Sequence, residues 1–462
     1  MIRVAVAIAP EVRQLLDEEP AVLGEFLEEV HDEDIADLVG LLGKEDGARL
    51  LTALTPEQAA KVFERLESGE QEEMVQEIGV EEVAPIVSEM AADDRTDLYS
   101  LLPEAMGETL LENIEKVDPA AAADIESLAK WPKDSAGGLM TTDYVAVSPG
   151  MTVAQVIEKI RHEGTHAETV YYVYVVGKHG ALHGVASLRD ILLAQSRDKI
   201  EDVMTESVHK VGPDTDQEEV ARTMAKYDFS ALPVVGPDSR LLGVITVDDV
   251  MDVLTEEHGE DVQRIAGIEP SDETYFQTTF WKFIRKRVVW LAVLFVGEFF
   301  TGTALRHYDK IIEAVATLAF YVPLLISTGG NSGSQSSSLI IRGLATGEIQ
   351  LKDWGRVLIR ELGQGIVMGV ALGAIGAARV MMWGDGTAFA VTIAGTLVGI
   401  VTGGCVVGSM FPMLLRKIGL DPATSSAPFI ASLVDVLGIV VYFNVAKYAL
   451  ADVLANAATT AH

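Results

Sequence analysis

Asp435 is the residue whose position most needs a chemical explanation. It is the lone charge in the apolar run 428–446. A carboxylate inside a run apolar enough to cross a bilayer is costly unless it faces a bundle interior or a water-filled cavity. A second feature points the same way. Residues 314–341 are 28 positions without a formal charge, long enough to span a membrane. Yet their middle, STGGNSGSQSSS at 327–338, is Gly, Ser, Thr, Asn and Gln. Lipid offers such a backbone no partners, so it must lie against other protein or beside water. An acid and an oxygen-rich segment at membrane depth fit a permeation path for a cation. Glu298 is another carboxylate inside an apolar run, expected to pair with a polar group in the bundle.

The elements that position these residues divide by charge. Of 35 Lys+Arg and 69 Asp+Glu, residues 288–462 hold 10 of each, so residues 1–287 carry the whole net charge of −34. That first part reads as a water-facing acidic module. It repels nucleic acid and attracts cations. The single cysteine, Cys405, excludes a disulfide framework and a thiolate metal cluster. The N-terminus MIRVAVAIAP is too short an apolar run for a signal peptide.

Residues 1–130 carry a 12-residue repeat. One apolar column is Leu38, Leu50, Val62, Met74, Ile86, Leu98, Leu110. Two others follow it at +1 and +4, which places all three on one helical face. Gly43, Pro56, Ser68, Gly79 and Pro103 punctuate the units. This predicts an all-α superhelix of short stacked helices, each burying its face on its neighbours. Acids such as Glu45, Glu57, Glu81, Asp93 and Asp94 open the units, where the helix dipole favours them.

Two β–α units follow. Residues 170–192 and 229–254 each run from a β-rich segment through a Gly-containing turn to a second strand, then Ser/Thr-x-x-Asp entering a helix: Ser187…Asp190 and Thr246…Asp249. Each Asp is placed to cap its helix. No GxxxxGK[ST] motif is present, so nucleotide hydrolysis is not expected.

Residues 247–267 should form one acidic helix. The basic, aromatic stretch 281–287 after it reads as a cytoplasmic anchor. Five spans are expected, at 288–305, 311–341, 357–383, 388–415 and 428–450. Lys and Arg concentrate before the first, after the second and after the fourth, which puts the N-terminal module in the cytoplasm and the C-terminus outside. Glycines such as Gly365, Gly369, Gly373, Gly404 and Gly408 should bring helices close. Pro323 and Pro412 should break or kink theirs.

In this order the parts resemble the MgtE family of magnesium channels. The quoted stretches are SAGGLMTTDYVAV (135–147), TDQEEVARTMAKYDFSALPVV (215–235), AFYVPLLISTGGNSGSQSSSLIIRGLATG (319–347) and LDPATSSAPFIASLVDVLGIVVYF (420–443). The resemblance implies a multidomain chain: an acidic superhelical domain at 1–130, an α/β tandem CBS pair at 131–255, a connecting helix and anchor at 256–287, and an α-helical channel domain at 288–462. It implies a homodimer in the cell membrane, with hydrated Mg²⁺ at Asp435. Asn331 and the backbone of Gly329 and Gly330 would supply further oxygens there. It also implies cytosolic Mg²⁺ at Asp249, Asp252, Glu257, Glu260, Asp261, Asp421, Asp93 and Asp94, holding the gate shut. CBS pairs often take adenine nucleotides such as ATP, the aspartates holding the ribose, which makes Asp190 and Asp249 candidates. Ser426 and Ala427 depart from the pattern, which favours a more polar residue such as Asn.

Other readings remain. A membrane-anchored nucleotide sensor needs neither the polar segment nor Asp435. An anion channel would not place an Asp in its path. A transporter preferring Mn²⁺ or Co²⁺ fits the same residues. No nucleophile–base motif appears in the N-terminal module, so no enzymatic activity is expected.

Overall fold

A computed structural model describes residues 3–165, 167–271, 275, 278–451 and 453. Residues 454–462, the end of the expected channel domain, lie outside the described residues. The chain divides into two compact units, 1–255 and 256–462.

The first unit begins with short helices, among them Asp32–Leu42, Lys44–Ala53, Pro56–Phe63, Ser68–Ile78, Val80–Ser88, Ala92–Leu101, Glu104–Val117 and Pro119–Leu128. All seven residues of the first repeat column are buried, from Leu38 to Leu110. The joints use residues suited to them. Gly43 and Gly79 adopt φ of 85° and 93°, a region that disfavours side chains. Thr55 forms a capping box with Gln58 ahead of Pro56.

The α/β part follows. β1 (Tyr144–Val147), β2 (Thr169–Val176) and β3 (Leu182–Ser187) form a sheet in that order, β1 parallel and β3 antiparallel to β2. β4 (Ala231–Val235) and β5 (Leu241–Thr246) pair antiparallel, Pro233 opposite Val244. The helices Val153–Glu163 and Gln217–Tyr227 cover the strands. The acidic helix forms as expected, over Val247–Ile265.

The second unit is a bundle of five long helices: Phe280–His307, Thr317–Ala345, Trp354–Trp383, Thr387–Lys417 and Ala427–Ala449. Among the described residues, four stretches, not five, are apolar enough by composition to cross a membrane: Phe280–His307, Leu351–Trp383, Thr387–Lys417 and Ala427–Ala449. The exception is Thr317–Ala345, whose Gly, Ser and Asn lower its hydropathy. That helix is continuous, so its backbone is satisfied within itself. Pro323 and Pro412 do not break their helices. Packed neighbours hold the helix on both sides of a proline.

Glycine governs the packing. A β-carbon on Gly365, Gly369 or Gly373 would come within 2.7–2.9 Å of the backbone of Thr402, Val398 or Ala394. One on Gly408 would meet Gly333 O at 2.1 Å.

Candidate cation path and regulatory site

Asp435 stands two turns into the last helix, which starts at Ser426. Ser426 Oγ accepts from Phe429 N at 3.4 Å and receives Trp290 Nε1 at 3.3 Å. The departure noted at this position therefore serves as a cap and a tether. A β-carbon on Gly330 would lie 3.7 Å from Asp435 Oδ1 and 3.3 Å from Ala431 Cβ. The missing side chain at 330 lets the carboxylate lie against the polar helix. Asn331 is exposed on the surface of the unit.

Gly329 packs on Ile400 and Val434, and its carbonyl oxygen lies against Gly404. A β-carbon on Gly330, unlike one on Gly329, would have Asp435 among its three nearest neighbours. Many hydroxyls of the polar helix also have structural partners: Ser332 donates to Val401 O at 3.0 Å, Ser334 to Ala427 O at 3.0 Å and Ser336 to Glu361 Oε2 at 2.7 Å. Much of the polar segment is thus interhelical adhesive. The buried Glu361 escaped sequence reading, because nothing local marks it as Ser336's partner. Glu298 finds its expected polar partner: Ser432 Oγ donates to Glu298 Oε1 at 2.9 Å.

In the first unit, three distant segments bring acids together. Asp93 and Asp94 open the helix Ala92–Leu101, Asp249 sits in the first turn of Val247–Ile265, and Glu64 and Glu168 join them. Asp93 is buried and, among the described residues, its Oδ1 has no hydrogen-bond partner. Glu64 is held by Ala91 N at 2.7 Å from its Oε1. Burial, then neighbouring carboxylates, pushes Asp93, Asp94 and Asp249 well above the usual range. Burial, then Asp249, pushes Glu168 up to about 7. Asp252, one turn beyond Asp249, is raised by burial and then Asp248. The buried Arg95 turns elsewhere, to Ser88 O at 3.0 Å and toward Asp143 and Asp124 at 3.8 and 3.9 Å. Glu64 and Glu168 were missed because only the fold brings them to Asp94.

In the second unit, Glu260 and Asp421 share one cation, Arg264. Its Nη2 lies 2.5 Å from Glu260 Oε2 and its Nη1 3.0 Å from Asp421 Oδ2. Asp421 also caps its own turn, accepting from Ala423 N at 2.8 Å. Glu257 and Asp261 lie on the same helix within a turn of Glu260. Among the described residues, no three or more His, Cys, Asp or Glu are arranged to hold a metal ion. The nest in the first unit is a concentration of carboxylates drawn from separate segments.

Asp190 and Asp249 both bond back to their caps, Ser187 Oγ and Thr246 Oγ1 each donating at 2.6 Å. Asp249 caps its helix start by accepting from Thr246 N at 3.3 Å, whereas at the other helix the cap is Ser187, whose Oγ accepts from Asp190 N at 3.1 Å. Asp190 also lines a cavity of about 200 Å³ with Tyr172, Ser187, His209, Phe229 and Pro233. His209, Tyr227 and Phe229 group their rings beside it, with centroids 4.2–5.4 Å apart.

Residues 30–134 match the MgtE intracellular N domain, 136–197 and 200–256 match CBS domains, and 322–445 match MgtE, a divalent cation transporter. The chain is 40% identical over 445 residues to the magnesium transporter MgtE of Thermus thermophilus, covering 96% of this chain and 98% of that one. The chain belongs to the MgtE family. It is also 30% identical to MgtE of Bacillus subtilis, over 91% of this chain and 92% of that one. Its fold matches the crystal structure of the cytosolic domain of the Mg²⁺ channel MgtE in complex with ATP, at 41% identity and TM-score 0.50, over 53% of this chain and 99% of that one. It likewise matches the soluble part of a magnesium transporter, at 30% identity and TM-score 0.51, over 55% and 99%. The chain is thus a multi-pass membrane protein with an all-α N-terminal domain and a CBS pair in the cytoplasm. It falls in a family of transporters, not of enzymes.

Proposed function

We propose that this MgtE-family protein is a homodimeric magnesium channel whose path runs between the helices Thr317–Ala345 and Ala427–Ala449. The observation that carries this reading is Asp435 set against Gly330. Mg²⁺ prefers oxygen ligands and sheds its water reluctantly. A carboxylate recessed on a packed helix pair attracts the hydrated ion without stripping it, and a second protomer would face it with another. Asn331, exposed beside them, adds amide oxygen. Gly329 keeps the helices close. The polar helix would be the second span and bring the total to five, tolerated because its hydroxyls bond its neighbours. Five spans put the C-terminus outside.

The acidic module would close the path. Asp93, Asp94, Asp249 and Asp252 repel one another when bare, and a divalent cation between them removes that repulsion and favours the compact arrangement. The partnerless Asp93 Oδ1 fits a cation or its water shell. Glu257, Glu260, Asp261 and Asp421 form a second acidic group that Mg²⁺ would share with Arg264. The cavity beside Asp190 suits an adenine nucleotide, the base among the aromatic rings and the ribose near Asp190. The ATP complex of the related cytosolic domain supports that assignment.

The test is flux into proteoliposomes, with Mg²⁺, Mn²⁺, Co²⁺ and chloride compared. Mg²⁺ entry that stops when Mg²⁺ is raised on the module's side supports the reading. Chloride flux, or no flux at all, sinks it.

A further inference from the structure

Glu298 occupies an uncomfortable position. Its helix, Phe280–His307, lies on the outside of the bundle, and only 6% of its apolar window is buried. Around Glu298 the side chains of Phe295, Val296, Phe299 and Phe300 are all exposed. A carboxylate in that setting is costly against lipid. The structure gives it one edge to escape to. At Gly297 the helix lies near the last one, a β-carbon there falling 4.0 Å from Ser432 Cβ, an ordinary contact. Ser432 Oγ then holds Glu298 Oε1 at 2.9 Å. Ser432 and Asp435 are three residues apart, hence neighbours on one helical face. Glu298 therefore lies within electrostatic reach of Asp435. Among the described residues, its other oxygen, Oε2, has no protein partner. Three helices thus converge here: one brings Glu298, one Ser432 and Asp435, and the polar one Gly330.

We propose that Glu298 is a second ion-attracting carboxylate of the cation path, held toward Asp435 by Ser432. The inference rests on the reading of Asp435 as a path residue. It assigns each protomer two negative charges at this level, and gives Ser432 the role of positioning one of them. Negative charge in a narrow, low-dielectric passage raises the local cation concentration. Glu298 therefore governs how much external Mg²⁺ is needed to load the path.

The experiment is Mg²⁺ flux against Mg²⁺ concentration for the full chain in proteoliposomes, at low and high ionic strength. Glu298→Gln keeps the shape and an oxygen for Ser432 but removes the charge. It should raise the half-saturating Mg²⁺ by about fivefold at low salt, with the gap narrowing at high salt as charges are screened. Glu298→Asp should recover part of the loss, and Ser432→Ala should shift in the same direction by less. A Glu298→Gln curve that overlays the wild type at both salts would reduce Glu298 to a packing partner of Ser432. A second variant covers a folding defect. In Glu298→Cys, Mg²⁺ should slow labelling by a membrane-impermeant sulfonated thiosulfonate, with buried Cys405 in the parent protein giving the background. A labelling rate indifferent to Mg²⁺ overturns the proposal. Asp435→Asn run alongside separates the two readings. Retained flux there takes both down, whereas lost flux there with an unshifted Glu298→Gln removes only the role of Glu298.

Discussion

Arg264 Nη1 donates to Asp421 Oδ2 at 3.0 Å, joining residues 157 positions apart. The same guanidinium meets Glu260 Oε2 at 2.5 Å. Two of the acids expected to share a regulatory Mg²⁺ therefore already share a cation of the chain's own. Any Mg²⁺ bound there would compete with Arg264.

Removing the competitor should sharpen the response. Arg264→Gln removes the guanidinium that contacts both Glu260 and Asp421. Partly exposed ion pairs contribute about 0–1 kcal/mol each, so closure should occur at roughly threefold lower Mg²⁺. Flux measured against Mg²⁺ on the module's side reads this directly. An unchanged curve would mean that Mg²⁺ does not use these two acids.

Asp435→Asn keeps the shape of the side chain and loses its charge. Mg²⁺ flux should fall by about tenfold or more, as expected when a focusing charge is removed. The purified variant should elute like the wild type on size exclusion. Normal flux in a folded variant would take Asp435 out of the path.

The two adjacent glycines should fail differently. A methyl on Gly329 would meet Ile400 at 2.3 Å and Val434 at 2.9 Å. Overpacking of that kind costs about 1–3 kcal/mol, so Gly329→Ala should lower thermal stability in detergent. Gly330→Ala meets its nearest neighbour at 3.3 Å and points toward Asp435. It should fold nearly normally and reduce flux instead. Equal melting temperatures for the two variants would contradict this division.

The acidic nest should respond to protons as it does to Mg²⁺. Its carboxylates have raised pKa values in the folded state, so their favourable contribution is complete below the unfolded carboxylate range. It is lost as pH rises through the folded values, about 7 for Glu168. Without Mg²⁺, the stretch 131–138 should resist protease better at pH 6 than at pH 8.5. Millimolar Mg²⁺ at pH 8.5 should restore resistance, and NaCl at matched ionic strength should not. Asp93→Asn with Asp94→Asn should flatten both responses. Equal protection by the two salts would reduce the nest to a solvated surface.

Much of the fold was legible because it repeats. The 12-residue columns depend only on local periodicity, and each residue from Leu38 to Leu110 in the first column is buried as its spacing requires. Thr246 and Asp249 were likewise visible as a helix start. The site was legible only where a single residue broke its own context, as Asp435 and Glu298 do. What could not be read are pairings made across the chain. Nothing near Glu168 points to Asp249, nothing near Ser336 points to Glu361, and nothing near Arg264 points to Asp421. The polar helix was open to two readings for a related reason. Whether its serines face water or protein shows only once their acceptors on other helices are known.

The glycine seam between Trp354–Trp383 and Thr387–Lys417 has a mechanical consequence. At Gly365, Gly369 and Gly373 the two backbones touch, with no side chains between them to rearrange. Sliding one helix along the other would replace each glycine contact with a collision. The pair must therefore behave as a single strut. A gate needs one part that yields and one that holds still, and this strut is the part that holds. Opening must be taken up by helices joined through side chains, which can exchange partners: Phe280–His307, tethered through Trp290 and Glu298, and the last helix that carries Asp435.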